Sequence, residues 1–387
     1  MQNKSKHLLI LAGVAIIVII AALFSGPTNQ DIEGSGDYVF LGLLSRVNDV
    51  TYVKIEKNDG TLTLTKDEDE WTVKENDHYP AAIDKIRQLV LGIGNMKRVE
   101  PKTANPEHYQ LLGLQDVSKK GAKSTHIVLI GGKDKKLADL IIGDSKPSQG
   151  DPTKKSYYIR TKDDPQSWLV NANLPDQWQP KAWLDIDVFE VKRDRIQQVK
   201  VSHPDGEVVY IHRDSPTVRD FTLESLKPGE KVTAPYEVNN IATTFTKMTF
   251  DDVVSDNTAK VDEKPVYTAV LKTFDGLEVT FEPHKAGDNY LTTYRAKFDE
   301  DFAKQWRQKL EQQENNNKQA ESGSKDNAAA KAPLTAALKS ADEVKQEVES
   351  YNDLWDSWMY QLPNFRIKNI GKKKADLLAK EAAKPIH

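Results

Sequence analysis

The sequence predicts an α+β protein that begins with a transmembrane helix, continues as two tandem related domains of mostly antiparallel sheet with helical cover, and ends in a C-terminal helical segment. Three observations predict this class: an uncharged apolar run near the N-terminus, a strand-turn-strand pattern that recurs 146 residues later, and a helical apolar pattern after a polar stretch. The predicted parts are an anchor (1–26), a juxtamembrane linker (27–44), a first domain (45–190), a second domain (191–298), a helix with a polar disordered linker (299–333), and a C-terminal helix and tail (334–387).

The apolar run from Leu8 to Phe24 contains no charged residue and no proline. A helix of this length spans roughly 26 Å, close to the thickness of a bilayer core. Leu23 and Phe24 do not fit the small-residue pattern of a signal-peptidase site, so we expect a retained anchor rather than the alternative, a cleaved signal. Lys4 and Lys6 precede the run, which predicts a cytoplasmic N-terminus, a single pass through the inner membrane, and a periplasmic location for the bulk of the chain.

The two predicted domains share an Asp-Gly turn, at Asp59-Gly60 and at Asp205-Gly206. Asp-Gly tolerates the positive φ of a tight hairpin, so each turn predicts two antiparallel strands. The apolar residues before the turns correspond at the same offset of 146 residues: Val50, Val53 and Ile55 match Ile196, Val199 and Val201. Further along, Pro80 and Pro235 each precede a helical apolar pattern, as expected at a first helical turn.

Beyond the second domain the pattern becomes helical. Phe298–Leu310 predicts a helix, and 311–331 is polar and predicted to be disordered or weakly helical. Leu334–Trp358 predicts a long helix that packs on its own domain or forms a coiled coil with a partner. A last strand at Phe365–Ile370 and a basic helix at Lys372–Ala383 complete the prediction.

Composition and motifs exclude several classes of function. The net charge is −4 and no basic domain is present, which argues against a nucleic-acid partner. Cysteine is absent, which removes disulfides, thiolate metal sites and thiol nucleophiles. No catalytic or nucleotide-binding motif occurs, and His203 and His212, which their hairpin could bring together, are too few to hold a metal. We therefore predict a protein that is not an enzyme, with no catalytic residues, metal or cofactor.

The segment between the two domains supplies the candidate interface residues. Trp178 and Trp183 lie in a polar, proline-rich stretch and are expected either at a domain junction or in contact with a partner. Asp185 and Asp187 alternate with the apolar residues Leu184, Ile186 and Val188. This alternation predicts a strand with one solvated face, or alternatively an exposed edge that binds a partner.

Several short motifs together resemble the domain-of-unknown-function 4340 family. They are the N-terminal anchor, Trp71 followed by Tyr79-Pro80-Ala81, Leu140-Ile-Ile-Gly143-Asp144, Tyr157-Tyr-Ile-Arg160, Trp168-Leu-Val170, Trp183-Leu184, and Trp358-Met-Tyr-Gln-Leu-Pro363. The resemblance covers nearly the whole chain after the anchor and implies a membrane-anchored periplasmic protein with no established activity. It also implies an association with ABC-type transport systems, including auxiliary components of the gliding-motility kind.

These observations lead to one expected function and one alternative. The expected function is a non-enzymatic accessory subunit of an ABC-type transport or envelope complex. Its partners would be integral-membrane and ATPase subunits, and it would contact the lipid bilayer through Leu8 to Phe24. The alternative is a periplasmic binding module for a lipid, glycan or peptide, in a cleft between the two repeats.

Overall fold

The structure is a computed structural model and describes residues 38–148, 151–321 and 333–379. The predicted transmembrane helix, Leu8 to Phe24, lies outside these residues. Of the helices that are described, none is long and apolar enough to cross a bilayer. The described chain is α+β, with mostly antiparallel sheets and several helices, as the sequence predicts.

In chain order the strands are β1 (Val50–Lys57), β2 (Gly60–Asp67), β3 (Glu70–Val73), β4 (Tyr79–Pro80), β5 (Lys97–Pro101), β6 (Thr125–Gly131), β7 (Lys135–Ser148), β8 (Asp151–Thr161), β9 (Trp168–Ala172), β10 (Asp187–Glu190), β11 (Ile196–Ser202), β12 (Val208–His212), β13 (Thr222–Leu223), β14 (Lys247–Thr249), β15 (Asp252–Ser255), β16 (Thr268–Thr273), β17 (Leu277–Ala286), β18 (Asn289–Phe298) and β19 (Trp358–Gln361). The α-helices are α1 (Ile83–Gly94), α2 (Pro235–Thr243), α3 (Glu300–Glu321), α4 (Ala341–Trp355), α5 (Asn364–Ile370) and α6 (Lys374–Leu377). Short 3-10 helices lie at Leu44–Asp49, Lys74–Asn76, Pro106–Leu112, Gly132–Asp134, Pro180–Trp183 and Arg193–Arg195.

The described chain divides into two compact units. Unit 1 takes the residues up to Thr61 together with Asp84–Asp176, and unit 2 takes Leu62–Ile83 together with the residues from Gln177 onward.

In unit 1, strands hydrogen-bond in the order β1-β6-β7-β8-β9-β5, each antiparallel to its neighbour. Alternate residues of β1 and β6 point into the core, where Val53 lies opposite Leu129. Helix α1 buries Ile86, Leu89, Val90 and Ile93, which recur at helical spacing as the sequence predicts. Period-2 strands and a period-3.6 helix therefore bury their apolar faces within one unit.

A second, smaller cluster of unit 1 forms where the 3-10 helix Pro106–Leu112 meets β7. Tyr109, Leu114 and Ile141 are buried together there. Arg160 lies over the Tyr109 ring at 4.8 Å, donates to the Leu114 carbonyl at 3.0 Å and pairs with Asp116 at 2.7 Å. The backbone passes so close that a Cβ on Gly143 would lie 2.1 Å from the Leu112 carbonyl oxygen. Glycine is therefore the residue that fits this contact.

In unit 2, the larger sheet has the order β13-β12-β11-β16-β17-β18-β19-β15 and is also antiparallel throughout. The predicted hairpin at Asp205-Gly206 is confirmed, because β11 pairs with β12 around it. The unit 1 order β1-β6-β7-β8-β9-β5 corresponds strand for strand to the order β11-β16-β17-β18-β19-β15.

The C-terminal segment is part of unit 2. Strand β19 lies between β18 and β15, so the sheet is continuous only when this late segment is in place. Helix α4 packs on β18, where Asn352 bonds both the N–H and the carbonyl of Ala296 at 2.8 and 2.9 Å. The last of the described residues also contact the rest of unit 2, through a bridge between Val232 and Leu378 and an ion pair of Lys374 with Glu230.

Two predictions about the C-terminal third are wrong. Residues Phe365–Ile370 form helix α5 rather than a strand, because Ile367 and Ile370 recur at helical spacing and are both buried. Helix α4 ends at Trp355, and Trp358 begins β19. Helix α3 extends to Glu321, so the first part of the stretch predicted to be disordered or weakly helical is a helix, because glutamate, glutamine and lysine favour this conformation even without a core.

The close contact at Gly143 generates a test. Gly143→Ala is expected to destabilise the protein by about 2–4 kcal/mol, because the methyl group displaces the backbone at Leu112 and opens the small cluster. Chemical denaturation followed by tryptophan fluorescence measures the loss. The matched control is Gly60→Ala, whose Cβ would meet open space. Equal denaturation midpoints for the two variants would contradict this account.

Candidate functional site

Unit 1 contains a compact group of titratable side chains around a histidine, the His126 cluster (Lys54, Glu56, His126, Lys136 and Asp139). The two His126 ring nitrogens lie 3.1 Å from a Glu56 oxygen and 2.8 Å from an Asp139 oxygen. Lys54 pairs with Glu56 at 2.7 Å, and Lys136 pairs with Asp139 at 2.6 Å. The register of β1, β6 and β7 brings these side chains to one face of the sheet.

The His126 cluster is electrostatically self-contained. The hydrogen bond from Lys54 outweighs partial burial and holds the pKa of Glu56 below its ordinary value. Burial opposes ionisation of Asp139, but hydrogen bonds from Lys136 and His126 lower its pKa overall. Because both ring nitrogens already contact carboxylates, His126 has no nitrogen left to activate a nucleophile in this arrangement.

The two histidines of the Asp205-Gly206 hairpin do not form a site together. His212 lies opposite Gln198 in the β11–β12 register and contacts Glu224 at 2.6 Å, whereas the His203 ring lies 6.0 Å from that of Tyr267, so the two histidines do not meet across the hairpin. In the described parts of the chain no three His, Asp or Glu side chains are grouped so that they could hold a metal.

The predicted interface residues all lie in unit 2. Trp183 is fully buried and donates from Nε1 to the Gln177 carbonyl at 2.9 Å, and Trp178 stacks on it with ring centres 6.4 Å apart. Asp185 and Asp187 are exposed. Ile186 is exposed as well, so the predicted alternation breaks at this residue.

A change of partner strand explains that break. Leu184 bridges to Ala81, whereas Asp187 pairs with Thr249 and is followed by a bulge. The chain therefore leaves one pairing and enters another at Ile186, where strict period-2 alternation no longer applies.

Beyond this point, β10 and β14 form a separate two-stranded ribbon, hereafter the ribbon. Phe189 anchors it in the core, with its ring 5.8 Å from that of Trp355 and 6.0 Å from that of Tyr351. On its solvent side, Asp187 pairs with Lys247 at 3.3 Å.

Side chains from the C-terminal helices donate hydrogen bonds to carbonyl groups of the ribbon. Trp355 Nε1 donates to the Val188 carbonyl at 3.0 Å, and the Tyr351 hydroxyl donates to the Glu190 carbonyl at 2.9 Å. Arg366 donates to the Lys247 carbonyl at 2.7 Å. These carbonyls would otherwise be free to accept from an added strand. The ribbon is thus suited to recognition through its side chains rather than through its backbone.

A polar cleft opens where the ribbon ends, hereafter the α4 cleft. It has a volume of about 350 Å³ and is lined by Glu190, Lys339, Glu343, Gln346, Glu347, Ser350 and Tyr351. Most of these residues project from one side of α4, because positions 343, 347 and 351 recur every fourth residue. This spacing is a signal in the sequence that could have identified the residues of the cleft. It is not specific, however, because acidic and polar residues at the same spacing are typical of any solvent-exposed helix face.

Below the cleft lies a buried ion-pair network. The Arg195 guanidinium bonds both oxygens of Asp275 at 2.7 and 3.1 Å and both oxygens of Glu347 at 2.9 and 2.8 Å. The side chains of these three residues are at most 7% exposed. Burial disfavours the charge, but the bonds to Glu347 and Asp275 raise the pKa of Arg195 above its ordinary value. Two bidentate pairs therefore tie α4 to the sheet of unit 2.

Comparisons with known proteins give one match. The family model described as Domain of unknown function (DUF4340) matches residues 71–269, which is about half of the chain. No curated protein and no solved structure matches.

The His126 cluster predicts a dependence of stability on acid pH. Carboxylates whose pKa is lowered on folding stabilise the folded state above their unfolded pKa, and this contribution is lost as pH falls through the folded value. We expect the free energy of unfolding to decrease as pH falls from about 5 to about 3, and Asp139→Asn to reduce that decrease. Urea denaturation across this range measures it, with the exposed Asp59→Asn as control. An unchanged pH slope in the Asp139 variant would refute the assignment.

The buried network predicts a large effect of removing its cation. Arg195→Met is expected to cost about 3–5 kcal/mol, because it leaves two buried carboxylates without the guanidinium that pairs with both of them. Denaturant titration measures this cost. Lys200→Met, at an exposed position of the neighbouring strand β11, is the control and should change stability by less than about 0.5 kcal/mol. Similar midpoints for the two variants would rule out the role given to Arg195.

Proposed function

The chain belongs to the DUF4340 family, whose description assigns no activity, and on that premise we propose that it is a non-enzymatic accessory subunit of an ABC-type transport or envelope complex. Leu8 to Phe24 would hold it in the inner membrane as a single pass, with the N-terminus in the cytoplasm and the remainder in the periplasm. Its partners would be integral-membrane and ATPase-bearing subunits of that complex.

One observation carries the proposal: the segment from Trp183 to Glu190 presents exposed acidic side chains on a rigid support. Trp183 and Phe189 are buried, while Asp185 and Asp187 remain exposed between them. Because hydrogen bonds and aromatic packing already hold the backbone, little conformational entropy remains to be lost when a partner binds. This surface therefore suits docking of a protein partner.

The titratable groups favour binding over catalysis. In the described residues, the carboxylates of the His126 cluster and of the Arg195 network are already bonded to neighbouring cations. An active site usually keeps a nucleophile, base or acid available to substrate. These two networks stabilise the fold instead, which supports an accessory role.

The corresponding strand orders support a duplicated scaffold, the finer part of the predicted fold class. In each order the first strand, β1 or β11, precedes an Asp-Gly turn in the sequence. The last strand, β5 or β15, lies at the edge of its sheet and comes after a helix in the sequence. We infer two related domains in tandem, of which the second has recruited a C-terminal segment for its docking surface.

The α4 cleft favours a second candidate, a binding module. Its lining is polar and charged, with three glutamates and one lysine, so it suits a peptide or glycan better than a lipid. Ligand recovery by native mass spectrometry would separate this function from the accessory role.

The proposal is tested by recovering partners of the full-length protein. The wild type and the double variant Asp185→Lys/Asp187→Lys are lightly cross-linked in the native membrane, purified in mild detergent, and compared by quantitative mass spectrometry. We expect transporter membrane and ATPase subunits with the wild type and at least a tenfold loss with the double variant, because charge reversal at a docking surface removes more than about 1.4 kcal/mol.

The control has the same change of charge elsewhere in unit 2. Glu263→Lys/Asp288→Lys alters two exposed acids outside the ribbon and should leave recovery unchanged. Recovery of the wild-type protein alone would refute the accessory function. Equal recovery of partners with both double variants would refute the ribbon as the docking surface.

A further inference from the structure

One edge of unit 1 combines exposed apolar, aromatic and cationic side chains, and it is where the described chain begins. Tyr38 bridges to Lys97 on the edge strand β5, and the Val39 N–H donates to the Met96 carbonyl at 2.9 Å. We call this surface, formed by Tyr38, Leu41, Lys97, Arg98 and Val99, the β5 edge.

The apolar side chains of the β5 edge are exposed. Leu41 is 74% exposed and Val99 is 51% exposed. Leu41 and Val99 each lie a few residues beyond one partner of the Tyr38–Lys97 bridge. Burying two such side chains in a lipid interface is favourable, so their joint exposure is a feature to explain. A single exposed apolar residue would need no explanation.

Aromatic and cationic groups accompany them. The Lys97 ammonium lies 4.8 Å from the centre of the Tyr38 ring, and the Arg98 guanidinium lies 5.3 Å from the centre of the Trp168 ring. The neighbouring acid Glu100 is neutralised by Lys102. Tyrosine with lysine and arginine is the combination found at membrane–water interfaces, and the cations attract anionic headgroups.

Chain length keeps this edge close to the bilayer. The predicted anchor ends at Phe24 and the described chain starts at Tyr38, so thirteen residues separate them. Thirteen residues span at most about 45 Å even when fully extended. The β5 edge is therefore confined near the membrane surface, where weak apolar and electrostatic contacts act at high effective concentration.

We propose that the β5 edge rests on the lipid surface of the membrane that holds the anchor, with Leu41 and Val99 entering the headgroup region and Lys97 and Arg98 contacting anionic lipid. The inference rests on the anchor of the proposed function. It adds a second, peripheral membrane contact that fixes how unit 1 is placed on the bilayer.

The absence of cysteine from the chain makes the test direct, because any introduced cysteine is a unique labelling site. Full-length Leu41→Cys and Val99→Cys proteins carry a nitroxide label and are reconstituted into vesicles of phosphatidylcholine, with and without phosphatidylglycerol. We expect both labels to be accessible to oxygen and protected from a water-soluble nickel chelate, more strongly with phosphatidylglycerol. Lys97→Gln in the Val99→Cys background should weaken the phosphatidylglycerol-dependent part about fivefold.

Two control labels separate this inference from the anchor itself. Val208→Cys, at an exposed position in unit 2, should remain accessible to the nickel chelate. Val14→Cys, inside the apolar run, should be protected. Nickel accessibility at Leu41 and Val99 equal to that at Val208, with Val14 protected, would overturn the β5 edge while leaving the anchor intact. Immobilised labels that neither oxygen nor nickel reaches would mean a protein contact and would also overturn it. An accessible Val14 would overturn the anchor and this inference together.

Discussion

The ion pairs of the buried Arg195 guanidinium are the interaction on which the proposed docking surface of unit 2 depends. It joins Asp275, in the turn between β16 and β17, to Glu347 in the middle of α4. An isolated charge in this environment would be very unfavourable, so each of the three side chains depends on the others for much of its stabilisation. The network thus makes the position of α4 a condition of the folded sheet.

The position of α4 then determines the state of the ribbon. Tyr351 and Trp355 lie one and two helical turns beyond Glu347, and they bond the carbonyls of Glu190 and Val188. The same aromatic rings pack on Phe189, so packing and hydrogen bonding act on one short strand. Helix α4 thereby covers backbone groups of the ribbon that could otherwise pair with another strand, and it makes the ribbon a rigid support for the exposed acidic side chains.

Sequence reasoning succeeded where structure follows local pattern. Helix α1 and the β11–β12 hairpin follow from apolar periodicity and from the turn chemistry of Asp205-Gly206. It failed at Phe365–Ile370, where a short apolar run fits a strand or a helix equally well, and packing of Ile367 and Ile370 decided for the helix. The residues of the α4 cleft were not predicted, because in the sequence they resemble an ordinary solvent-exposed helix face.

The sequence by itself determined the α+β class, one Asp-Gly hairpin and the amphipathic helices, because each depends on residues a few positions apart. Only the tertiary structure decided that Arg195 meets Asp275 and Glu347, which are 80 and 152 residues away, and that β19 completes a sheet begun far earlier. The physical reason is that a buried charge and a central strand need partners that chain topology brings together. Such partners leave no periodic signal in the sequence around either residue.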